Sequence, residues 1–170
     1  MRILYRTRQF FGSVLARVSL ADRQASDAVL PPAAREWFHS LPRDLQWHGL
    51  QVMGDLQRAG VTRSDVLAAA LLHDAGKAEG PSGPLARTFI VLAFRLAPDW
   101  SARRKDIDYR RARGIDRVVA IAWQHPAIAA EKAAACGCDP VTIDLIRRHQ
   151  DRAAQSDELL RLFQQVDNQN

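Results

Sequence analysis

The 170-residue sequence predicts an all-α protein, a compact single-domain helical bundle, on three observations. Ala and Leu are abundant, and apolar residues recur at the three-and-four spacing of a helix. The period-two alternation of a half-buried strand is nearly absent. Gly and Pro fall between the periodic segments, where they act as punctuation. Hydrophobic residues make up 47% of the chain and charged residues 25%, which excludes wholesale disorder and supplies one real core.

The first helix is expected from about Arg2 to Leu20. Ile3, Leu4, Phe10, Phe11, Val14, Leu15 and Val18 form a broad apolar face, opposed by Arg2, Arg6, Arg8 and Arg17. Such a helix can lie on a membrane surface or against an acidic partner, and more commonly packs across its own domain. After Pro31-Pro32 comes a short helix holding Trp37 and Phe38, then one from about Arg43 to Arg58 that carries His48 and ends at Gly60. Thr62-Arg63-Ser64-Asp65 has the form of a capping box ahead of Val66-Leu67-Ala68-Ala69-Ala70-Leu71-Leu72. That helix is apolar almost all round, so it is expected at the buried centre, delivering His73 and Asp74 at its C-terminal end before a break at Gly76.

The segment from Gly80 to about Gly114 is the least regular. Pro81, Gly83 and Pro84 mark a loop, and a helix is expected from Leu85 to Leu96. Arg103, Arg104, Lys105, Arg110, Arg111 and Arg113 follow, interleaved with Asp106 and Asp108. This stretch reads as a solvated helix or as a flap bearing phosphate-binding arginines. Val118, Val119, Ile121 and Ala122 then form a helix leading to His125-Pro126. Because Pro is favoured at the first helical position, His125 is expected to cap a new helix running to about Cys136. Asp139-Pro140 repeats the device for a helix carrying Ile143, Leu145, Ile146 and His149. Ser156 is expected to cap a last helix, through Leu159, Leu160, Phe163 and Val166 to Asp167.

Net charge is +5 and the sequence pI about 9.9, so phosphorylated small molecules, nucleic acids and anionic membranes are the partners to weigh. Cys136 and Cys138, one glycine apart, are too close for a stable disulfide and too few for a cysteine zinc site. They read as reduced thiols, and the chain as cytoplasmic. The N-terminus makes a poor signal peptide, since Arg17 interrupts its apolar stretch, and no apolar run is long enough to span a bilayer.

Four of the five histidines fall at or near the ends of expected core helices, in the order His48, His73-Asp74, His125 and His149, with Asp167 near the end. A carboxylate on so apolar a helix as that before Asp74 is costly unless paired or metal-bound. Imidazole with carboxylate suits Mn, Fe, Co, Ni or Mg and can hold Zn. Adjacent residues at a helix end splay apart, so one can meet a metal while the other bridges towards a second. Such ions activate water and polarise a phosphoryl oxygen.

The ordered set His48, His73-Asp74 and Asp167 resembles the H…HD…D signature of the HD superfamily of metal-dependent phosphohydrolases. His73-Asp74-Ala75-Gly76-Lys77 is similar to the HDxGK element of its HDIG and HD-GYP branches, and His125-Pro126-Ala127-Ile128-Ala129-Ala130 to their HPxxGA element. The resemblance covers about Leu45 to Asn168. It implies an HD metal-binding domain at 41–170, with the basic amphipathic helix and short helix of 1–40 packed on it. It further implies a first metal on His48, His73, Asp74 and Asp167, with Asp74 bridging to a second on His125 and His149. Lys77 would offset phosphate charge or steady the bridging carboxylate.

Several positions depart from the pattern. Gln150 stands where two-metal branches usually carry a second histidine, Ala129 replaces a glycine, and no GYP element follows Asp151, so cyclic di-GMP hydrolysis is not assigned. Asp167 lies three residues from the end of the sequence, and its role depends on a firmly docked last helix. The expected function is metal-dependent hydrolysis of a phosphomonoester or phosphodiester, a nucleotide being one candidate. Asp74, Lys77 and His125 are its catalytic candidates, with arginines of 87–113 available for charge. The alternative is a non-catalytic HD-fold sensor or scaffold that binds metal or nucleotide. A basic nucleic-acid or membrane-surface adaptor is the weakest of the three.

Overall fold

The computed structural model describes residues 18–81, 84–151 and 156–170, and the side chains of 84–89 stand outside that description. Among the described residues every regular element is helical. The helix expected over Arg2 to Leu20 lies outside them except at its last three positions, and there the chain differs from expectation. Ser19 and Asp22 form a reciprocal capping box, so Leu20 opens helix α1 (Leu20–Val29) rather than closing an earlier one.

Helix α2 (Pro32–Ser40) starts on its proline, and α3 (Arg43–Arg58) has the expected bounds. Gly60, at φ 91°, closes α3 in a Schellman motif: its N–H reaches Gln57 O and that of Val61 reaches Leu56 O. The capping box expected from Thr62 does not form. Helix α4 (Ser64–Leu72) has no side-chain cap, because Asp65 is engaged by the Arg63 guanidinium and by the Val66 N–H. A 3₁₀ turn (Ala75–Glu79) follows, then α5 (Pro84–Leu96), the short α6 (Pro98–Ala102), α7 (Gly114–Ala135), α8 (Pro140–Arg148) and α9 (Glu158–Asp167). Asp139 caps α8 as expected, accepting the Val141 N–H. Asp157, rather than Ser156, caps α9.

One correction concerns the site directly. His125-Pro126 does not divide two helices, and α7 runs through it without interruption. Proline removes the N–H that would have bonded Ala122 O one turn back. The His125 side chain supplies the replacement, its Nδ1–H donating to Ala122 O at 2.9 Å.

Helix α4 is the buried centre, with each of Val66 to Leu72 at most 4% exposed. Helices α3 and α8 flank it, and α7 covers α8 and the 3₁₀ turn. Phe38, Leu56, Ile146 and Phe163 join the same core from α2, α3, α8 and α9. Two glycines set the closest approaches. A Cβ on Gly49 would meet Leu71 O at 2.7 Å, and one on Gly76 would meet His125 O at 2.2 Å. Gly76 therefore serves less to break a helix than to let the 3₁₀ turn lie against α7.

The Arg-rich stretch is neither an extended helix nor a free flap. After α6 it folds as turns over a small second core of Tyr109, Ala120, Ile121 and Ile128. Arg104 binds Asp116 and stacks on Trp100, and Arg117 donates to Tyr109 O and Glu79 O. Cys136 and Cys138 are both free thiols flanking Gly137, whose φ of 75° forms a second Schellman motif at the end of α7. No helix among the described residues is long and apolar enough to cross a membrane.

Candidate metal centre

Six separate elements bring the six sequence-predicted ligand residues to one place. His48 comes from α3, His73 from the end of α4, Asp74 from the start of the 3₁₀ turn, His125 from mid-α7, His149 from the end of α8 and Asp167 from the last position of α9. His73, Asp74, His125 and His149 are buried, while His48 and Asp167 are partly open. The imidazoles of His73 and His149 stand 5.0 Å apart by ring centroid, and Phe163 packs edge-on to His73.

Asp74 divides the cluster in two. Its Oδ2 faces His48 Nε2 at 3.5 Å and His73 Nε2 at 3.8 Å, whereas Oδ1 faces His125 Nε2 at 3.3 Å and His149 Nε2 at 3.7 Å. Asp167 Oδ1 completes the first side, 3.2 Å from both His48 Nε2 and His73 Nε2. Two groups could therefore hold a metal ion, His48-His73-Asp74 and Asp74-His125-His149, sharing Asp74. Asp167 adjoins the first.

The imidazole protons reveal what the cluster needs. His73, His125 and His149 each direct Nδ1 at the carbonyl three residues earlier: Ala70 O at 2.9 Å, Ala122 O at 2.9 Å and Ile146 O at 2.7 Å. A carbonyl can only accept, so each Nδ1 carries a proton and each ring turns its Nε2 inward, the atom that can ligate a cation. Those Nε2 atoms face carboxylate oxygens. His73 Nε2 and His149 Nε2 are buried without a hydrogen-bond partner. A cation on either side of Asp74 could satisfy them together with the carboxylates. Ligands held about 2.1 Å from a metal at ordinary coordination angles lie about 3.0–3.4 Å apart, close to the spacings seen. The backbone carbonyls on Nδ1 are also the outer partners that orient histidine ligands in metal sites.

The electrostatics agree. Burial by itself would raise the Asp74 carboxyl, but the Lys77 ammonium and the surrounding imidazoles outweigh it and hold it well below the usual range. Asp167 is depressed in the same way, burial being overcome by His73 and His48. Burial lowers His125 below its ordinary value, keeping it neutral and able to ligate. His48 moves upward, because its contacts with Asp167 and Asp74 exceed the effect of burial.

Lys77 Nζ lies 2.6 Å from Asp74 Oδ2 and stays half exposed on the solvent side. Gln150 Nε2 lies 3.3 Å from His125 Nε2, so the amide donates to the lone pair that a second metal would require. Beyond the cluster opens a cleft of about 990 Å³, whose floor includes His48, Asp74, Lys77, His125, Gln150 and Asp167. Among the described residues Arg95 is the arginine of the 87–113 segment that lines it. The remaining wall is largely apolar, which sequence reasoning did not identify because such residues look like core.

No family model, no curated protein and no solved structure matches this chain.

Proposed function

We infer that the protein is a metal-dependent phosphohydrolase of the HD type, acting on a phosphomonoester or phosphodiester at the floor of this cleft. The observation that carries the reading is the inward convergence of imidazole Nε2 atoms on Asp74 and Asp167, two of them buried and without a hydrogen-bond partner. His48, His73, Asp74 and Asp167 would hold the resident divalent ion, with Mn, Fe, Co, Ni, Zn or Mg compatible with this donor set. When bound, the metal supplies Lewis-acid polarisation of a phosphoryl oxygen and activation of water.

The chain's own residues supply the rest. Lys77 stands at the floor of the cleft with its ammonium half exposed, where it meets phosphate charge while steadying Asp74. His125 serves as a ligand rather than as proton donor, because its one proton is held at Nδ1 by Ala122 O. The Ala70, Ala122 and Ile146 carbonyls fix ring orientation without movement during reaction. Hydrolysis of p-nitrophenyl phosphate and its bis ester with Mn, Co, Ni or Mg tests the reading. Turnover that disappears in Asp74→Ala is expected, and full activity in that variant refutes it.

A second reading has one specific observation in its favour. The Gln150 amide occupies the His125 lone pair and so opposes a second ion, which suits a one-metal sensor or scaffold. Binding without turnover across nucleotides, cyclic dinucleotides and aryl phosphates would select it.

A further inference from the structure

The cleft is far larger than its polar floor. About 990 Å³ is space for a ligand of drug size, whereas a phosphoryl group beside Lys77 occupies one end of it. Leading away from that end, the wall formed by α5 and α7 presents Ile90, Val91 and Phe94 opposite Val118 and Ile121. Phe94 is backed by the Trp123 ring, 4.8 Å away by centroid. Val91 is 62% exposed, an apolar residue held open to solvent at the mouth of a cleft. Trp47 lines the same cleft from α3.

Polar recognition groups are sparse along this wall. Among the described residues Arg95 is its polar side chain. At the α9 end Asn168 commits one amide N–H to Gln164 O and Asn170 commits both of its own to Val166 O and Asp55 Oδ2, while Asp44 borders the cleft from α3. A nucleobase is read through hydrogen bonds to its edge. This surface offers few such partners and much area for hydrocarbon.

Resting on the phosphohydrolase reading above, we propose that the substrate is the phosphate ester of an apolar alcohol. Its phosphate lies at Lys77 and the histidine–carboxylate floor, and its hydrocarbon chain lies between α5 and α7. The hydrocarbon gains by leaving water in proportion to the area covered, so affinity rises with chain length until the wall is filled. Arg95 has no specificity role in this arrangement beyond charge at the rim.

Calorimetric binding of non-hydrolysable methyl-, butyl-, hexyl- and octylphosphonate, with AMP as the nucleotide comparison, tests the proposal. Each methylene seated on the wall tightens binding by about fourfold, so hexylphosphonate binds about fifteenfold tighter than butylphosphonate. AMP binds no tighter than butylphosphonate. Phe94→Ala weakens the hexyl ligand and spares the methyl one. Val91→Asp, at a position 62% exposed, weakens hexylphosphonate by about tenfold or more and leaves the melting temperature nearly unchanged. A series flat in chain length, no binding at any length, or AMP as the tightest ligand overturns the proposal. A parallel Mn²⁺ titration keeps the two readings separate. Metal uptake with a flat series rejects the apolar substrate alone, whereas chain-length dependence without metal uptake rejects the metal reading alone.

Discussion

Gly76→Ala tests the geometry of the site without touching a ligand. A Cβ at this position would lie 2.2 Å from His125 O and 3.0 Å from His125 C and Cα. These are backbone atoms, so no side chain can swing aside, and the 3₁₀ turn must retreat from α7 by about 1 Å to restore ordinary contact. Gly76 does not have positive φ, so the penalty is steric rather than conformational. Overpacking of this kind costs about 1–3 kcal/mol. In a chain of 170 residues this lowers Tm by roughly 3–10 °C. The functional loss is larger, because the turn carries Asp74 and Lys77 while α7 carries His125. Ligand distances in metal sites hold to about 0.2 Å, and a 1 Å retreat separates Asp74 Oδ1 from His125. Thermal melting by circular dichroism and Mn²⁺ titration read the two effects. Gly54→Ala is the control, since its Cβ would meet nothing within 4 Å and it lies within α3. It should stabilise the protein by about 0.5–1 kcal/mol and leave metal binding unchanged. A Gly76→Ala protein that melts and binds metal like the parent would refute the close-approach argument.

Three further outcomes follow from the site's chemistry. In chelated protein, Asp74 and Asp167 have folded values below the ordinary 3.8. The stability they supply is complete above 3.8 and is lost as pH falls through their depressed values. Asp74→Asn should therefore reduce the acid slope of urea-unfolding stability below that pH by about 1.4 kcal/mol per unit; an unchanged slope contradicts the depressed carboxyl. His125 adds the same sign from pH 6.5 downward, because the unfolded chain takes up a proton that the folded one refuses. Burial pushes the Cys138 thiol up to about 11, so iodoacetamide at pH 8 should leave it unlabelled in folded protein, as mass spectrometry would show, and rapid labelling there would count against its burial. Gln150→His should raise the bound-metal ratio measured by plasma mass spectrometry, by removing the amide from His125 Nε2 and adding a ligand, and an unchanged ratio would show that Gln150 is not what limits the second position.

Much of the site was legible in the sequence because His73, Asp74, His149 and Asp167 sit where helices end, and ends carry local signals. Gly60 ends the helix that carries His48, while the apolar run of α4 delivers His73 and Asp74. The division expected at His125-Pro126 failed for a physical reason. Proline opens helices readily, yet here an imidazole three residues along from Ala122 satisfies the carbonyl that proline abandons, and α7 continues. Thr62 and Ser156 looked like caps because the motif is short and neighbouring carboxylates compete for the same role. The cleft wall was invisible for a different reason. Val91 and Phe94 have the spacing and chemistry of core residues, and only the placement of α5 beside the histidine–carboxylate floor leaves them lining open space. Likewise nothing local in the sequence distinguishes Gly49 and Gly76, which touch backbone far along the chain, from Gly54, which touches nothing.

The central claim is that converging imidazoles and carboxylates form a metal centre organised by Asp74. Its most direct test is Co²⁺ titration of chelated protein, followed by visible absorption, in the parent and in Asp74→Asn and His73→Ala. The account predicts saturable ligand-field bands in the parent, with affinity reduced at least about tenfold in both variants. Absence of saturable Co²⁺ binding in the parent, or equal binding in folded Asp74→Asn and His73→Ala, would contradict it.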